Sequence, residues 1–248
     1  MNEPVIVFDK VGKSYHQYHH ITGGFKSLLF NLPKALRAIK NARYESLRDI
    51  SFEIKKGECF GIIGRNGAGK STTLGLIAGV LKPTMGKVIV KQRVSPLLEL
   101  GAGFHNDLSG RENIFLNGVL MGLTRKEVAM KADEIIAFSE LGEFIDQPIR
   151  VYSSGMLARL GFSVVSCLDP ELLLLDEILA VGDSNFQKKC MDKMLSFRKS
   201  GVTMVLISHS MSDIMGLCDR VLWIENHLVR MIGKAPDVVE EYSKTTYG

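Results

Sequence analysis

The sequence predicts an α/β fold: a mixed, largely parallel sheet flanked by helices, with an antiparallel β part and an inserted α-helical subdomain. Three observations carry this. The apolar run Cys59-Phe-Gly-Ile-Ile63 reads as a buried parallel strand and passes through Gly64-Arg-Asn-Gly-Ala-Gly-Lys-Ser71 into a helix over Thr72 to Val80. Three helical stretches then follow one another without a strand, the third starting after Ser154, which indicates a helical insertion. Beyond it strand–helix alternation resumes, beginning with the four leucines of Glu171-Leu-Leu-Leu-Leu-Asp176.

Taken in order, Pro4 to Val11 is a strand and Gly12-Lys13-Ser14-Tyr15 its turn. Leu47 to Ile54, with Phe52 and Ile54 on one face, is a second strand that leads through Lys55-Lys56-Gly57 to Cys59. Between them lies an unusual segment, residues 16–46. Phe25, Leu28, Leu29 and Leu32 recur at helical spacing there, as do Leu36 and Ile39 beyond Pro33, which separates two short helices. Lys26, Lys34, Arg37, Lys40, Arg43 and Arg48 flank these positions with Glu45 the only acid, and His16, His19 and His20 add titratable charge. A basic amphipathic segment of this kind suits an anionic membrane surface or a groove on a partner; the alternative is a helix packed on its own domain behind a solvated basic face.

Gly86 to Val90 is a short strand. Ser109-Gly-Arg-Glu112 and Thr124-Arg-Lys-Glu127 both fit the capping box, in which a hydroxyl and a carboxylate satisfy the first free amides of a helix. They open helices over Glu112–Met121 and Arg125–Glu140. After the leucine strand come a helix over Asp183–Lys199, a strand over Val202–Ser208, a short helix over Met211–Leu217, a hairpin over Asp219–Glu225 and His227–Ile232, and a last helix over Pro236–Ser243. The chain, 1–248, reads as one domain: a core from 1–93 and 169–248, and a helical subdomain over 94–168.

Composition narrows the function classes. Hydrophobic residues are 46% and charged residues 23% of the chain, a globular balance that excludes a disordered protein. No apolar run approaches the roughly 18 to 20 residues that cross a bilayer, and Met1-Asn-Glu-Pro4 does not begin a signal peptide, so the chain is expected to stay where it is made. A net charge of +4 is too mild to argue for nucleic acid. Cys59, Cys167, Cys190 and Cys218 lack metal-ligand spacing and read as reduced packing residues.

The chemistry is concentrated in a few motifs. Gly64 to Ser71 matches the phosphate-binding loop pattern, whose backbone amides encircle an anion. Arg65, Asn66, Gly67, Ala68 and Gly69 supply the turn, Lys70 reaches the outer phosphates, Ser71 takes a place on Mg²⁺, and Thr72 opens the helix. Asp176 and Glu177 end a strand as adjacent carboxylates, one for the metal and the next for orienting an attacking water. His209 ends another strand, Met204-Val-Leu-Ile-Ser208, at the same expected edge, within reach of a γ-phosphate. Tyr152-Ser-Ser-Gly-Met156 opens the third helix; Ser153, Ser154 and Gly155 form a second anion site there, or by composition alone a plain N-cap.

In this order the phosphate loop, helical insert, YSSGM, LLLLDE, Gly182-Asp183 and Ser208-His209 resemble the ATPase subunit of ABC transporters over nearly the whole chain. The resemblance implies a P-loop NTPase core of RecA-like type, with YSSGM as signature motif, Asp183 in the D-loop and Tyr15 as the aromatic that stacks on adenine. It implies that two copies form a homodimer burying two ATPs, each between Lys70 of one subunit and Ser153 and Gly155 of the other. A finer resemblance, in Leu97-Leu-Glu-Leu-Gly-Ala-Gly-Phe104, Ser109-Gly-Arg-Glu-Asn113 and Glu177-Ile-Leu-Ala-Val-Gly-Asp183, is to bacterial exporters of lipid-linked surface polysaccharides such as O-antigen, capsule or teichoic acid. That implies a separate transmembrane permease in two copies, peripheral attachment to the cytoplasmic face of the inner membrane, and an insert lying near the membrane.

Two departures stand out. The family's usual Gln between loop and helical subdomain is missing, with Glu99 the nearest polar candidate for the metal or water contact. The chain also reads as a short form without the C-terminal carbohydrate-binding domain of some O-antigen members. An ABC ATPase serving another substrate shares every catalytic motif and is the alternative. A soluble ABC ATPase of the DNA-repair type needs a long coiled coil between Lys70 and Ser153, for which there is no room.

Overall fold

The structure, a computed structural model, describes residues 3–16, 43–97, 103–176 and 182–247. Six strands form the central sheet in the order β5 (Val94–Leu97), β6 (Leu172–Asp176), β7 (Thr203–Ile207), β3 (Cys59–Ile63), β8 (Arg220–Glu225), β9 (Leu228–Lys234). The first five are parallel, and β9 turns back antiparallel along β8. A smaller antiparallel sheet, β2 (Arg43–Lys55), β1 (Pro4–His16), β4 (Met85–Val90), packs against it.

The leucine strand shows why its sequence does not alternate. Leu172 and Leu174 face a core shared with the antiparallel sheet and α1 (Lys70–Ile77), while Leu173 and Leu175 face the core under α4 (Ser154–Cys167), α5 (Ser184–Lys199) and α6 (Met211–Leu217). Parallel strands covered on both faces read as continuous apolar runs. The two sheets are joined by stacked rings: Phe8 on Phe52 at 4.4 Å and Phe52 on Phe60 at 5.4 Å between centroids, offset contacts that add to the area they bury. On the far side, α7 (Ala235–Tyr247) sets Tyr242 edge-on against Trp223 at 5.3 Å.

The helical part comprises α2 (Gly110–Leu120), α3 (Arg125–Ser139), two short 3₁₀ turns (Gly142–Asp146 and Ile149–Val151) and α4. Both expected capping boxes form. Ser109 and Thr124 each accept from the amide three residues on, and Glu112 and Glu127 reach back to the cap amides at 2.8 and 2.7 Å. Its own core joins Ile114, Val128, Ile135, Leu160 and Val164.

Several expected boundaries move. Gly12 to Tyr15 is not a turn: β1 continues to His16, because β2 and β4 pair on either side of it and absorb its irregularities as bulges. β2 starts at Arg43, so residues 43–46 belong to the sheet rather than to the basic segment, whose body, 17–42, lies outside the described residues. Val94–Leu97 is a strand beside β6, so the sheet holds residues assigned by sequence to the helical subdomain. Pro96 hides this strand in the sequence; at a sheet edge its missing amide costs little. The helix after the loop runs over Lys70–Ile77 rather than Thr72–Val80.

All four cysteines are buried and unpaired by disulfides. Contact with Cys59, 3.9 Å away, and burial both push the Cys218 thiol up. Burial pushes Cys167 up, and Cys190 up to about 12.

Candidate nucleotide site

The phosphate loop joins the carboxyl end of β3 to the N-terminus of α1. It is too tight for side chains at two points. A Cβ on Gly64, at φ +149°, would run into the Ile224 carbonyl, and one on Gly69, at φ +112°, would stand 2.5 Å from the Ser46 carbonyl and Leu47. Only glycine fits such backbone at such approach. The loop is therefore clamped between the end of β8 and the start of β2. Lys70 is 7% exposed, and its Nζ donates to the carbonyls of Gly64 at 2.9 Å and Arg65 at 3.3 Å, which arches the ammonium back over the loop. Ser71 is exposed at the first turn of α1, and Thr72 shares a 2.8 Å hydroxyl contact with Ser46.

A cavity of about 320 Å³ opens beside this loop, lined by Tyr15, Tyr44, Asn66, Gly67, Lys70 and Ser71 among others. Tyr15, placed on a turn by sequence, reaches it from the end of β1, with the Lys13 ammonium 5.0 Å from its ring centre. Tyr44 stands directly opposite Tyr15 in the β1–β2 register. Neither Tyr44 nor Ser46 was legible as a site residue, because their relation to the loop arises from pairing across a long insertion. The one available signal is their period-2 spacing ahead of Leu47.

Asp176 and His209 reach the same sheet edge. Ile62 of β3 and Asp176 of β6 both pair with Ile207 of β7, so the loop, the turn after β7 and the end of β6 lie side by side. Strands spaced about 4.8 Å apart put β3 and β6 roughly 10 Å from each other, close enough to serve one triphosphate and its metal. His209 is exposed in the bend after β7. Glu177 and Glu99 lie outside the described residues.

Ser153, Gly155 and Asp183 are not among the residues lining the loop cavity. Ser153 caps α4, accepting from the Met156 amide at 3.2 Å, and is exposed; nothing but its own hydroxyl comes within 4 Å of a Cβ on Gly155. The first amides of a helix have no carbonyl partner within it, and here the Ser153 hydroxyl takes that of Met156. Asp183 caps α5, accepting from the Phe186 amide at 3.0 Å, and pairs with Arg159 of α4 at 2.6 Å. The Phe186 amide and then Arg159 hold its carboxyl below the usual range. Arg159 also meets Glu140 at 3.0 Å, and Lys189 meets Glu140 at 2.7 Å. Glu140 is likewise lowered, chiefly by Lys189.

A glycine-clamped phosphate loop at the carboxyl edge of a parallel sheet, with a carboxylate strand two places along, defines a P-loop nucleotide-binding protein. The family is narrower than that. Residues 47–180 match the family described as ABC transporter, and the chain belongs to it. It is 57% identical over 242 residues, 98% of both chains, to the O-antigen export system ATP-binding protein RfbB of Klebsiella pneumoniae. It is 48% identical to the protein of that name from Myxococcus xanthus, covering 96% of this chain and 55% of the other, and 49% identical to the teichoic acids export ATP-binding protein TagH of Lactococcus lactis, covering 80% and 42%. The fold is also that of the dimeric post-hydrolysis ATP-binding cassette MJ0796 bound to ADP and Pi, with a TM-score of 0.73 at 20% identity over 93% of this chain and 98% of that one.

Proposed function

We propose that this protein is the ATP-hydrolysing subunit of an ABC exporter that moves a lipid-linked, O-antigen-like polysaccharide across the cytoplasmic membrane. The single observation that carries it is the 57% identity over 98% of both chains to an O-antigen export ATP-binding protein. Among the described residues no helix is long and apolar enough to cross a membrane. In this reading a separate permease, in two copies, supplies the path, and the ATPase sits at the cytoplasmic face as a homodimer.

In this reading the amides of Gly64 to Ser71 and the buried ammonium of Lys70 hold the β- and γ-phosphates, and Tyr15 stacks on the adenine. Mg²⁺, when bound, neutralises charge on the transferring phosphoryl group; the Ser71 hydroxyl and Asp176 carboxylate are the oxygen donors that suit it. His209 approaches the γ-phosphate, and Glu177 orients the attacking water. Ser153, Gly155 and the first amides of α4 close on the γ-phosphate bound by the other subunit, with Asp183 beside them. Positioning and electrostatics supply most of the rate.

The test is Glu177→Gln in the purified protein and in cells. Loss of the general base lowers turnover by about 10²- to 10⁴-fold while ATP binding persists and the dimer accumulates; surface polysaccharide export stops. Parental turnover in this variant would remove Glu177 from the reaction. Export of an unrelated substrate on reconstitution with the permease would displace the polysaccharide reading.

A further inference from the structure

Tyr44 has a place in the site that no motif records. It starts β2, and with Ser46 it lies on the strand face turned to the phosphate loop: Ser46 meets Thr72 at 2.8 Å, and the Tyr44 hydroxyl donates to the Gly67 carbonyl at 3.2 Å. Gly67 is the exposed crest of the loop, and among the described residues none comes within 4 Å of a Cβ placed there. The peptide plane between Gly67 and Ala68 is instead pinned at both ends. Its carbonyl takes the Tyr44 hydroxyl, and its amide donates to the Arg65 carbonyl at 3.1 Å. A flip of that plane would break both bonds and turn the Gly67 oxygen toward the Arg65 carbonyl that now accepts the Ala68 amide.

Tyr44 is itself held. The ring of His227 meets it edge-on, 5.5 Å between centroids and 82° between planes. His227 sits at φ +66° after Asn226 at φ +51°, left-handed backbone that glycine adopts at no cost and histidine does not. Three contacts keep it there: its carbonyl accepts from the Arg48 amide at 2.8 Å, its Nδ1 lies 3.2 Å from the Ser46 carbonyl, and its ring abuts Tyr44. Asn226 and His227 are the two residues of the β8–β9 turn, which requires positive φ at both, so the hairpin itself sets the place of the His227 ring. Tyr44 also separates the loop cavity from a second one of about 410 Å³ on the His227 side.

We propose that Tyr44 is a positioning residue of the nucleotide site, holding the Gly67–Ala68 peptide of the phosphate loop in one orientation, and that His227 acts through Tyr44 by fixing its ring. The inference rests on the nucleotide-site reading above. Tyr44→Phe keeps the ring and its contact with His227 and removes only the hydroxyl. In the full-length protein it raises the Kd and KM for Mg·ATP by about 3- to 10-fold, the worth of one hydrogen bond, while kcat changes less than about two-fold and the melting temperature holds. His227→Ala moves Kd the same way by a smaller factor, and added to Tyr44→Phe it costs nothing further, since both act through one carbonyl. Parental Kd in Tyr44→Phe, a fall in kcat or Tm that matches the loss of binding, or additive effects in the double variant would each overturn the proposal. If the parent protein itself takes up no Mg·ATP, the nucleotide-site reading fails and the inference goes with it.

Discussion

Two helix N-termini of the molecule, those of α1 and α4, are built in opposite ways. At α1 the phosphate loop is braced by its own chain: Ile224 behind Gly64, Ser46 and Leu47 against Gly69, the Tyr44 hydroxyl on the Gly67 carbonyl, and the buried Lys70 folded back on the Gly64 and Arg65 carbonyls. At α4 Ser153 caps the Met156 amide, and among the described residues its hydroxyl alone comes within 4 Å of a Cβ on Gly155. Both ends share the same helix physics. In the function proposed above, the first would be a receptor complete within one chain and the second half of one, closed by another copy.

That contrast can be broken by substitution. Lys70→Ala strips the α1 site of its buried charge and is expected to abolish Mg·ATP uptake by the single chain, as read by calorimetry, along with all turnover. Ser153→Asp keeps a good N-cap while adding a negative charge where phosphate would dock. It should leave uptake by the monomer unchanged and lower turnover by about 10- to 100-fold at concentrations where the parent dimerises. Equal losses of monomer binding from both variants would mean that α4 belongs to the same chain's site.

The smallest effect concerns the carboxylates that tie α4 to α5. Glu140 and Asp183 are held below the ordinary carboxylate range. Their stabilising effect is thus complete above the unfolded-state values near pH 4 and is lost as pH falls through the lower folded ones. Because both are about half exposed, Glu140→Gln should lower Tm by only about 1–3 °C at pH 7, and the difference should shrink and vanish as acid protonates the folded-state carboxylate. A difference that grows on acidification would reverse the sign and the assignment.

What could be read in the chain was local. The phosphate loop, the two capping boxes, the Ser153 cap and the fully buried leucine strand each depend on neighbours within a few residues. What escaped was set by pairing at a distance. Gly12 looks like a turn until Met85 pairs with it, and Val94-Ser-Pro-Leu97 looks like loop until β6 lies alongside. Tyr44 gains meaning only through Gly67 and His227, the latter 183 positions further along. Tertiary context overrides local preference most strongly in short, irregular strands.

The hidden cysteines have a practical side. Thiol reagents attack the thiolate; the native sulfurs are all buried, and those of Cys167, Cys218 and Cys190 are also raised, the last to about 12. A cysteine introduced at exposed Ser153 or Arg65 would therefore be the one fast-reacting sulfur, with no native residue to remove first. The protein is ready-made for a spectroscopic ruler spanning the gap between a loop on one copy and a helix tip on another.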